Sequence, residues 1–308
     1  VLIPVVIGVA AKSGFTRSRL LMPLVFAAAL GGNLSLIGAP GNLIAQSALQ
    51  NIGSGFGFFE YAKVGLPMLV CGILYFLTIG YKFLPNNSNS SEVGSIGEQR
   101  DYSHVPRWKQ ILSLVVLIAT ILGMIFEKQT GISLAVAGCI GALVLVVSGV
   151  LTEKQAYKAI DSQTIFIFGG TLALAKALEM TGAGKLVADY VIGLLGDSSS
   201  PFMLLVVVFA LSVIMTNFMS NTATVALLVP VSLSIAAGMG ADPRAVLMAT
   251  VIGSSCAYAT PIGMPANMMV LSAGGYKFVD YAKAGIPLII VSTIVSLILL
   301  PILFPFHP

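Results

Sequence analysis

Long apolar runs separated by short polar stretches dominate the chain. Residues 1–12 read as the end of an apolar helix, followed by a basic loop over 12–19. Residues 18–50 are apolar but broken at Gly31-Gly32 and again across 38–41, and 64–84 form an uninterrupted span. The Ser/Asn-rich stretch 85–107 has the composition of a flexible linker rather than a domain. Beyond it, 108–126, 132–150 and 163–183 read as three spans, with a short amphipathic stretch at 152–160. Residues 201–238 are apolar around a polar centre, Thr216-Asn217-Phe218-Met219-Ser220-Asn221-Thr222. Residues 243–273 are broken at Thr260-Pro261-Ile262-Gly263-Met264-Pro265, and 284–306 form the last span. Several runs reach the ~20 residues that cross a hydrocarbon core. The pattern predicts an all-α polytopic membrane protein.

Two parts of this pattern are copies of one module. Leu2-Ile3-Pro4-Val5 returns as Leu228-Val229-Pro230-Val231, and Ile37-Gly38-Ala39-Pro40-Gly41-Asn42 as Ile262-Gly263-Met264-Pro265-Ala266-Asn267. Glu60-Tyr61-Ala62-Lys63-Val64-Gly65-Leu66-Pro67 returns as Asp280-Tyr281-Ala282-Lys283-Ala284-Gly285-Ile286-Pro287. Repeats with matched Gly/Pro-interrupted helices mark secondary transporters and point to their binding site. Residues 1–84 thus read as the later part of repeat 1, 85–107 as a cytoplasmic linker and 108–308 as repeat 2. The repeat spacing places the start of the first copy about 118 residues before Val1. The chain, opening in mid-helix, reads as a fragment, and the first copy's own Ser-Asn-Thr tip is expected just ahead of Val1.

The arms on either side of the polar centre of 201–238 are about 17 residues each, short for a full crossing. They read as a re-entrant hairpin; two complete spans joined by a polar turn are the alternative. Of the 16 basic residues, eleven fall on one side: Lys12, Arg17, Arg19, Lys82, Arg100, Arg107, Lys109, Lys154, Lys158, Lys277 and Lys283. Four fall on the other (Lys63, Lys128, Lys185, Arg244), and Lys176 lies within a span. The rich side is cytoplasmic by the positive-inside rule. Both hairpin readings give the same parity, so the count orients the chain without deciding between them. Either way an odd number of crossings runs from 108 to 306, which inverts one copy relative to the other, as alternating access requires.

Charged residues are only 9% of the chain and hydrophobic residues 57%, with a mean hydropathy of +0.97. This excludes a water-soluble domain. The net charge of +4 gives no sign of nucleic-acid binding. Cys71, Cys139 and Cys256 lie far apart in apolar segments and read as core-filling residues rather than a disulfide or metal site. His104 in the linker and His307 near the C-terminus resemble no catalytic or metal site. Asp and Glu avoid the span centres: Glu127, Asp161, Glu179 and Asp189 sit at or near span ends. Proton-coupled carriers need a titratable relay inside the membrane. Its absence from this stretch favours Na⁺ held by carbonyl, hydroxyl and amide oxygens, which are hard ligands. Lys176, halfway along 163–183, reads as a snorkelling lysine rather than an anion-attracting charge.

Chemistry concentrates at three places. Ser220-Asn221-Thr222 puts three small polar side chains at a helix break, where one half-helix offers free carbonyls to a cation and the next offers free N–H groups to an anion. The simpler reading, interhelical hydrogen bonding, is common for such residues but does not explain three in a row at a break. The segments around Gly38-Ala39-Pro40 and Pro261-Ile262-Gly263-Met264-Pro265 combine missing donors with permissive backbone. One such break reads as a proline kink; two at matching positions of inverted copies read as paired ion sites.

At these residues the chain resembles the divalent anion/sodium symporter family, within the superfamily that also holds arsenite permeases and sodium/proton antiporters. The resemblance rests on Ser220-Asn221-Thr222-Ala223-Thr224 with its Pro-containing half-helix and on the two Ile-Gly-Xaa-Pro-Xaa-Asn breaks. It also rests on Phe168-Gly169-Gly170-Thr171-Leu172-Ala173-Leu174-Ala175. It implies a homodimer in the bilayer of the cytoplasmic membrane, each subunit having a scaffold part and a transport part that moves like an elevator. It implies one Na⁺ between each hairpin tip and the facing break. Carried over, the second Na⁺ site uses Thr216, Met219 and Asn221 with the backbone around Gly263; the first uses Gly38 and its neighbours. The anion would meet Ser220, Asn221, Thr222, Thr260 and Pro261, with Pro40 and Asn42 from the first break. Where the family pattern suggests Thr-Pro-Pro-Asn, the chain has Ala39-Pro40-Gly41-Asn42 and Met264-Pro265-Ala266-Asn267, which leaves the anion open. The implied function is Na⁺-coupled symport of a dicarboxylate such as succinate or malate, or of sulfate, with no organic cofactor. The rival is an arsenite or other anion efflux permease, or a sodium/proton antiporter, of the same superfamily. An intramembrane enzyme would need a nucleophile and base or an Asp pair within spans, which the sequence does not offer. A passive channel leaves the paired breaks unexplained.

Overall fold

The computed structural model describes residues 2–86, 105–160 and 200–306 throughout, and only scattered helical positions between 161 and 199. Lys176, Lys185, residues 87–104 of the linker, His307, and the Phe168 motif apart from Gly169, Gly170 and Ala173 lie outside the described residues. Among the described residues every regular element is helical. Membrane depth demands this, because each helix satisfies its own backbone donors and acceptors where water is absent. Apart from a single turn at Glu127–Thr130, the α-helices described are, in chain order, α1 Leu2–Ser13, α2 Arg17–Gly31, α3 Pro40–Gln50, α4 Ala62–Thr78, α5 Arg107–Ile125, α6 Leu134–Val147, α7 Glu153–Ala159, α8 Pro201–Thr216, α9 Asn221–Met239, α10 Pro243–Ser254, α11 Pro265–Leu271 and α12 Phe278–Leu303. Of these, α5, α9 and α12 are long and apolar enough to cross a membrane.

The chain forms two compact units, Val1–Ile96 with Phe166–Pro308 and Gly97–Ile165. In the smaller unit α5 and α6 pack closely at Gly141, where a Cβ would lie 2.2 Å from Thr120 Oγ1. Thr152 and Gln155 cap α7 reciprocally, which starts the expected amphipathic stretch as a short helix.

In the larger unit α8, α9 and α10 share a core of Leu204, Val208, Ile235, Ala236 and Val246. Two expected boundaries shift. The arms around the polar centre are unequal, 16 residues in α8 and 19 in α9, or about 24 and 28 Å. Ser220 caps α9 directly at the tip, its Oγ accepting from Ala223 N at 3.2 Å, and α9 runs on to Gly240 in left-handed geometry (φ 62°). The last helix begins at Phe278 rather than 284, because Asp280 accepts from Lys277 N (2.8 Å) and secures an earlier first turn.

Loops gather at two places. Tyr276 Oη donates to Ser18 O (2.6 Å), and Thr16 Oγ1 meets Asn86 Oδ1 (3.0 Å), so the loop before α2, the segment after α4 and the loop before α12 lie together. Elsewhere Arg244 pairs with Glu60, Lys63 lies 3.5 Å from the same carboxylate, and Asp242 N donates to Phe306 O (2.8 Å). These contacts join the loop before α10, the loop before α4 and the chain after α12. Helices α4 and α12 pack side by side between the two clusters, tied by Tyr75 Oη to Ala284 O (3.2 Å) and Ser296 Oγ to Met68 Sδ (3.2 Å).

Candidate functional site

Each copy breaks its second helix and repairs the break in the same way. Helix α2 gives way to a 3₁₀ turn, Gly32–Leu34, then to extended backbone at Ser35 and Ala39. Helix α10 ends at Ser254, and extended Met264 precedes α11. Pro40 and Pro265 open the new helices at the first helical position, where a missing N–H costs nothing and φ is already set. An asparagine two residues on braces each break. Asn42 Nδ2 donates to Gly32 O (3.2 Å) and Ser35 O (2.8 Å); Asn267 Nδ2 donates to Ala257 O and Thr260 O (both 2.9 Å). The acceptors lie ten and seven residues upstream in both cases. A tyrosine at the start of the next helix then holds each asparagine: Tyr61, just before α4, donates Oη to Asn42 O (3.3 Å), and Tyr281 in the first turn of α12 donates Oη to Asn267 O (2.6 Å). Both Asn Oδ1 atoms are buried without a hydrogen-bond partner.

Glycine makes the close approaches possible. A Cβ on Gly65 would lie 2.0 Å from Asn33 O, and one on Gly285 2.1 Å from Tyr258 O, so α4 and α12 each lie directly on the backbone of a break. At Gly263 a Cβ would lie 2.5 Å from Thr216 O, which brings the second break onto the end of α8.

The polar centre of 201–238 and the second break form one cluster. Thr216 Oγ1 donates to Ser254 O. Asn221 lies alongside with its Nδ2 edge toward three oxygens, donating to Gly263 O (2.9 Å), Thr216 Oγ1 (2.8 Å) and Ser254 O (3.2 Å). This orientation follows because the two carbonyls can only accept. Asn217 stitches the rest: Nδ2 donates to Val213 O (2.7 Å) and Cys256 O (3.3 Å), Oδ1 accepts from Ala259 N (2.9 Å), and its carbonyl accepts from Thr260 Oγ1 (2.6 Å). Thr260 Oγ1 in turn accepts from Gly263 N (3.2 Å). The first break reaches the same helix: a Cβ on Gly41 would lie 2.9 Å from Val225 Cγ2, one turn into α9.

Of the residues singled out from sequence, Thr216, Asn221 and Gly263 therefore meet. Ser220 caps α9, Thr222 is half-buried in its first turn, and Met219 closes the preceding turn through its N–H to Met215 O (3.0 Å). Thr260 is buried and bound to Asn217, and Pro261 is buried beside it. Pro40 opens α3 on an exposed face. Gly38 donates its N–H to Ser35 O (3.1 Å) within its own break. Asn42 is fully buried, with its Nδ2 directed into the break that it braces. Sequence reasoning gave no role to Ser254 or Asn217, and marked Asn267 only as the repeat partner of Asn42 at a helix start. Ser254 contributes only a carbonyl, which no side chain announces. Among the described residues no group of three His, Cys, Asp or Glu side chains gathers.

Paired broken helices of this kind belong to a multi-pass membrane transporter. The family model described as citrate transporter matches residues 1–250 and, in a second match, 121–307, and the chain belongs to that family. An uncharacterized transporter of Methanocaldococcus jannaschii is 30% identical over 302 residues, 96% of this chain and 66% of the relative. The uncharacterized transporter YfbS of Escherichia coli is 35% identical over 171 residues, 56% of this chain and 28% of the relative. The sodium-dependent dicarboxylate transporter SdcS of Staphylococcus aureus is 24% identical over 315 residues, 94% of this chain and 59% of the relative. The chain thus spans at most about two thirds of these relatives' length. The matches bear out the resemblance to the divalent anion/sodium symporters, and family and relatives are transporters rather than enzymes.

Proposed function

We propose that the protein is a Na⁺-coupled symporter of a small divalent anion, a dicarboxylate or sulfate, working by elevator-type alternating access as a homodimer. The observation that carries this reading is the convergence of Thr216 Oγ1, Ser254 O, Gly263 O and the Asn221 amide where the tip meets the second break. All are hard, uncharged oxygen donors once Asn221 turns Oδ1 inward, the set that suits a bare alkali cation. The Met219 carbonyl completes the proposed site, and Gly38 with its neighbours belongs to the matching site in the first copy. The unpartnered Oδ1 atoms of Asn42 and Asn267 leave a buried acceptor in each break, which favours a cation over an anion there.

The anion has a separate place to go. The N-termini of α9 and α3 approach each other where Gly41 meets Val225, and that of α3 carries no side-chain cap. Two helix starts supply partial positive charge and free N–H groups without a fixed cation. Ser220, Asn221, Thr222, Thr260, Pro261 and Pro40 line this approach in the proposal. Inversion of the copies is supported by the loop clusters. The loop before α2 lies with the loop before α12, whereas its repeat equivalent, the loop before α10, lies with the loop before α4. Helices α4 and α12 then run in opposite directions between the same two ends. Two separate compact units suit a division into transport and scaffold parts. A relative named as a sodium-dependent dicarboxylate transporter supports the ion and the anion class.

The test is uptake of labelled succinate, citrate and sulfate by the full-length protein in proteoliposomes, with and without a Na⁺ gradient. Na⁺-dependent uptake of at least one is expected, with Asn221→Ala raising the Na⁺ concentration for half-maximal uptake. Uptake of each anion indifferent to Na⁺ refutes the reading.

A further inference from the structure

We propose that the groove between α2 and α4 seats one anionic phospholipid, its phosphate on Arg19 and an acyl chain lying between the two helices. This groove shares no residue with the cluster of Thr216, Asn221 and Gly263, and its occupant is independent of the sodium reading. It encloses about 510 Å³. Pro23, Ala27 and Leu30 line it from α2, and Leu69, Ile73 and Leu77 from α4. At Gly72 the helices touch, since a Cβ there would lie 2.5 Å from Leu30 Cδ1. From Arg19 to Leu30 the groove follows α2 for roughly 16 Å. Ala27, Ile73 and Leu77 are exposed, so the groove opens outward from the helices, where a multi-pass protein meets lipid.

Charge decides the occupant. Arg19 lines one end of the groove, and its Nε is buried without a hydrogen-bond partner. Among the described residues Arg19 forms no ion pair. A guanidinium stays charged, and leaving one of its donors buried and unpaired is costly. Two phosphate oxygens, one facing Nε and one facing the adjacent N–H, satisfy that edge of the fork together. Lys82 adds positive charge at the same end, its Nζ 5.9 Å from the ring of Tyr81, another lining residue. Arg17 and Lys277 flank the nearby Ser18–Tyr276 contact. Basic pockets between helices at the cation-rich face of a membrane recognise anionic headgroups in this way. Free phosphate would leave the apolar length of the groove unfilled. A peptide would bring backbone donors and acceptors that an apolar lining cannot satisfy. A neutral phospholipid carries its own cation beside its phosphate, which weakens the pairing with Arg19. A net anionic headgroup above an acyl chain matches the groove at both ends.

The experiment is native mass spectrometry of the full-length protein in neutral detergent, incubated with equimolar dioleoyl phosphatidylglycerol and dioleoyl phosphatidylcholine. The phosphatidylglycerol adduct should dominate. Arg19→Gln should weaken its retention about 10- to 100-fold, the range of one lost hydrogen bond to a charged group. Arg19→Lys keeps the charge without the planar fork and should retain an intermediate amount. Ala27→Trp, which fills the groove from an exposed position, should release both lipids and tests the site without touching Arg19. Lys158→Gln removes the same charge from an exposed position on α7 and should change nothing. Glycerol phosphate, a headgroup without chains, should not displace the bound lipid. Lipid-free melting temperatures identify any variant that fails to fold. Equal retention of both lipids by the unaltered protein, or equal losses in Arg19→Gln and Lys158→Gln, overturns the proposal. So does displacement by glycerol phosphate, which would make the ligand a free phosphate. Unchanged retention in Ala27→Trp overturns it as well, because the lipid then sits elsewhere and another part of the longer chain covers the groove.

Discussion

Replacing Gly285 with alanine should separate α12 from the second break. A Cβ at this position would lie 2.1 Å from Tyr258 O and 2.8 Å from Ala259 N. Carbon makes its best contacts at about 3.5–4.0 Å, so helix and break must part by roughly 1 Å or more. Little in the surroundings can yield. Tyr258 is fully buried, its ring 5.3 Å from that of Phe26, and Tyr281 Oη ties α12 to Asn267 O at 2.6 Å. Overpacking of this kind costs about 1–3 kcal/mol, and losing the Tyr281 bond adds about 1 kcal/mol. A total near 2–4 kcal/mol corresponds to a fall of roughly 3–6 °C in melting temperature for 308 residues. Gly65→Ala meets Asn33 O at 2.0 Å, but the Tyr61–Asn42 bond there is longer, 3.3 Å, so α4 gives way with a smaller loss. The assay pairs thermal unfolding of the purified full-length protein with its Na⁺ half-saturation in proteoliposomes. Gly285→Ala should lower the first and raise the second, because the displaced break carries Gly263. A Gly285→Ala protein that melts within about 1 °C of the original and keeps its Na⁺ dependence would refute the claim that this contact sets the geometry of the break.

Asn267→Ala should strip Ala257 O and Thr260 O of their donor and destabilise the fold by about 2–4 kcal/mol, read as a lower melting temperature; an unchanged melt would show that the break holds without its brace. Glu60→Gln should weaken the tie between the loop before α4 and the start of α10. With the Arg244 side chain 32% exposed, the pair is worth about 1 kcal/mol. A double-mutant cycle with Arg244→Gln measures it directly, and a coupling energy of zero would make the contact incidental.

A few of the basic residues assigned to the two sides fall at two separate loop clusters. Lys63 and Arg244, placed on the sparse side, meet over Glu60, while the start of α2, with Arg17 and Arg19, adjoins the loop carrying Lys277 through Tyr276 and Ser18. The breaks were legible because Pro40, Pro265, Gly38 and Gly263 punctuate otherwise continuous apolar runs, and a second copy multiplied a weak signal. The sequence was blind in two places. It could not say that Ser254 lends a carbonyl to the cluster, since any residue carries one. It also could not distinguish the asparagines by role. Asn42, Asn217, Asn221 and Asn267 look alike in the chain, yet three are immobilised by bonds and one has partners on a single edge. That difference depends on which backbone oxygens happen to converge, a property of the packed break rather than of its local sequence.

The recurrence of asparagine has an electrostatic logic. Unwound backbone in an apolar surrounding needs donors for its bare carbonyls, and a lysine or arginine would supply them at a large desolvation cost. A carboxamide supplies the same donors without net charge. Charge neutrality matters for coupling as well as for stability. A fixed cation at this cluster would attract the anion whether or not Na⁺ were present, and a fixed carboxylate would repel it in both states. With Thr216, Asn217, Asn221 and Thr260 all uncharged, the charge of the proposed site would be set by its ion alone. In the proposed symport, anion binding would then be conditional on Na⁺, and the more apolar the surrounding, the stronger the condition, because the interaction between ion and anion grows as the local dielectric falls.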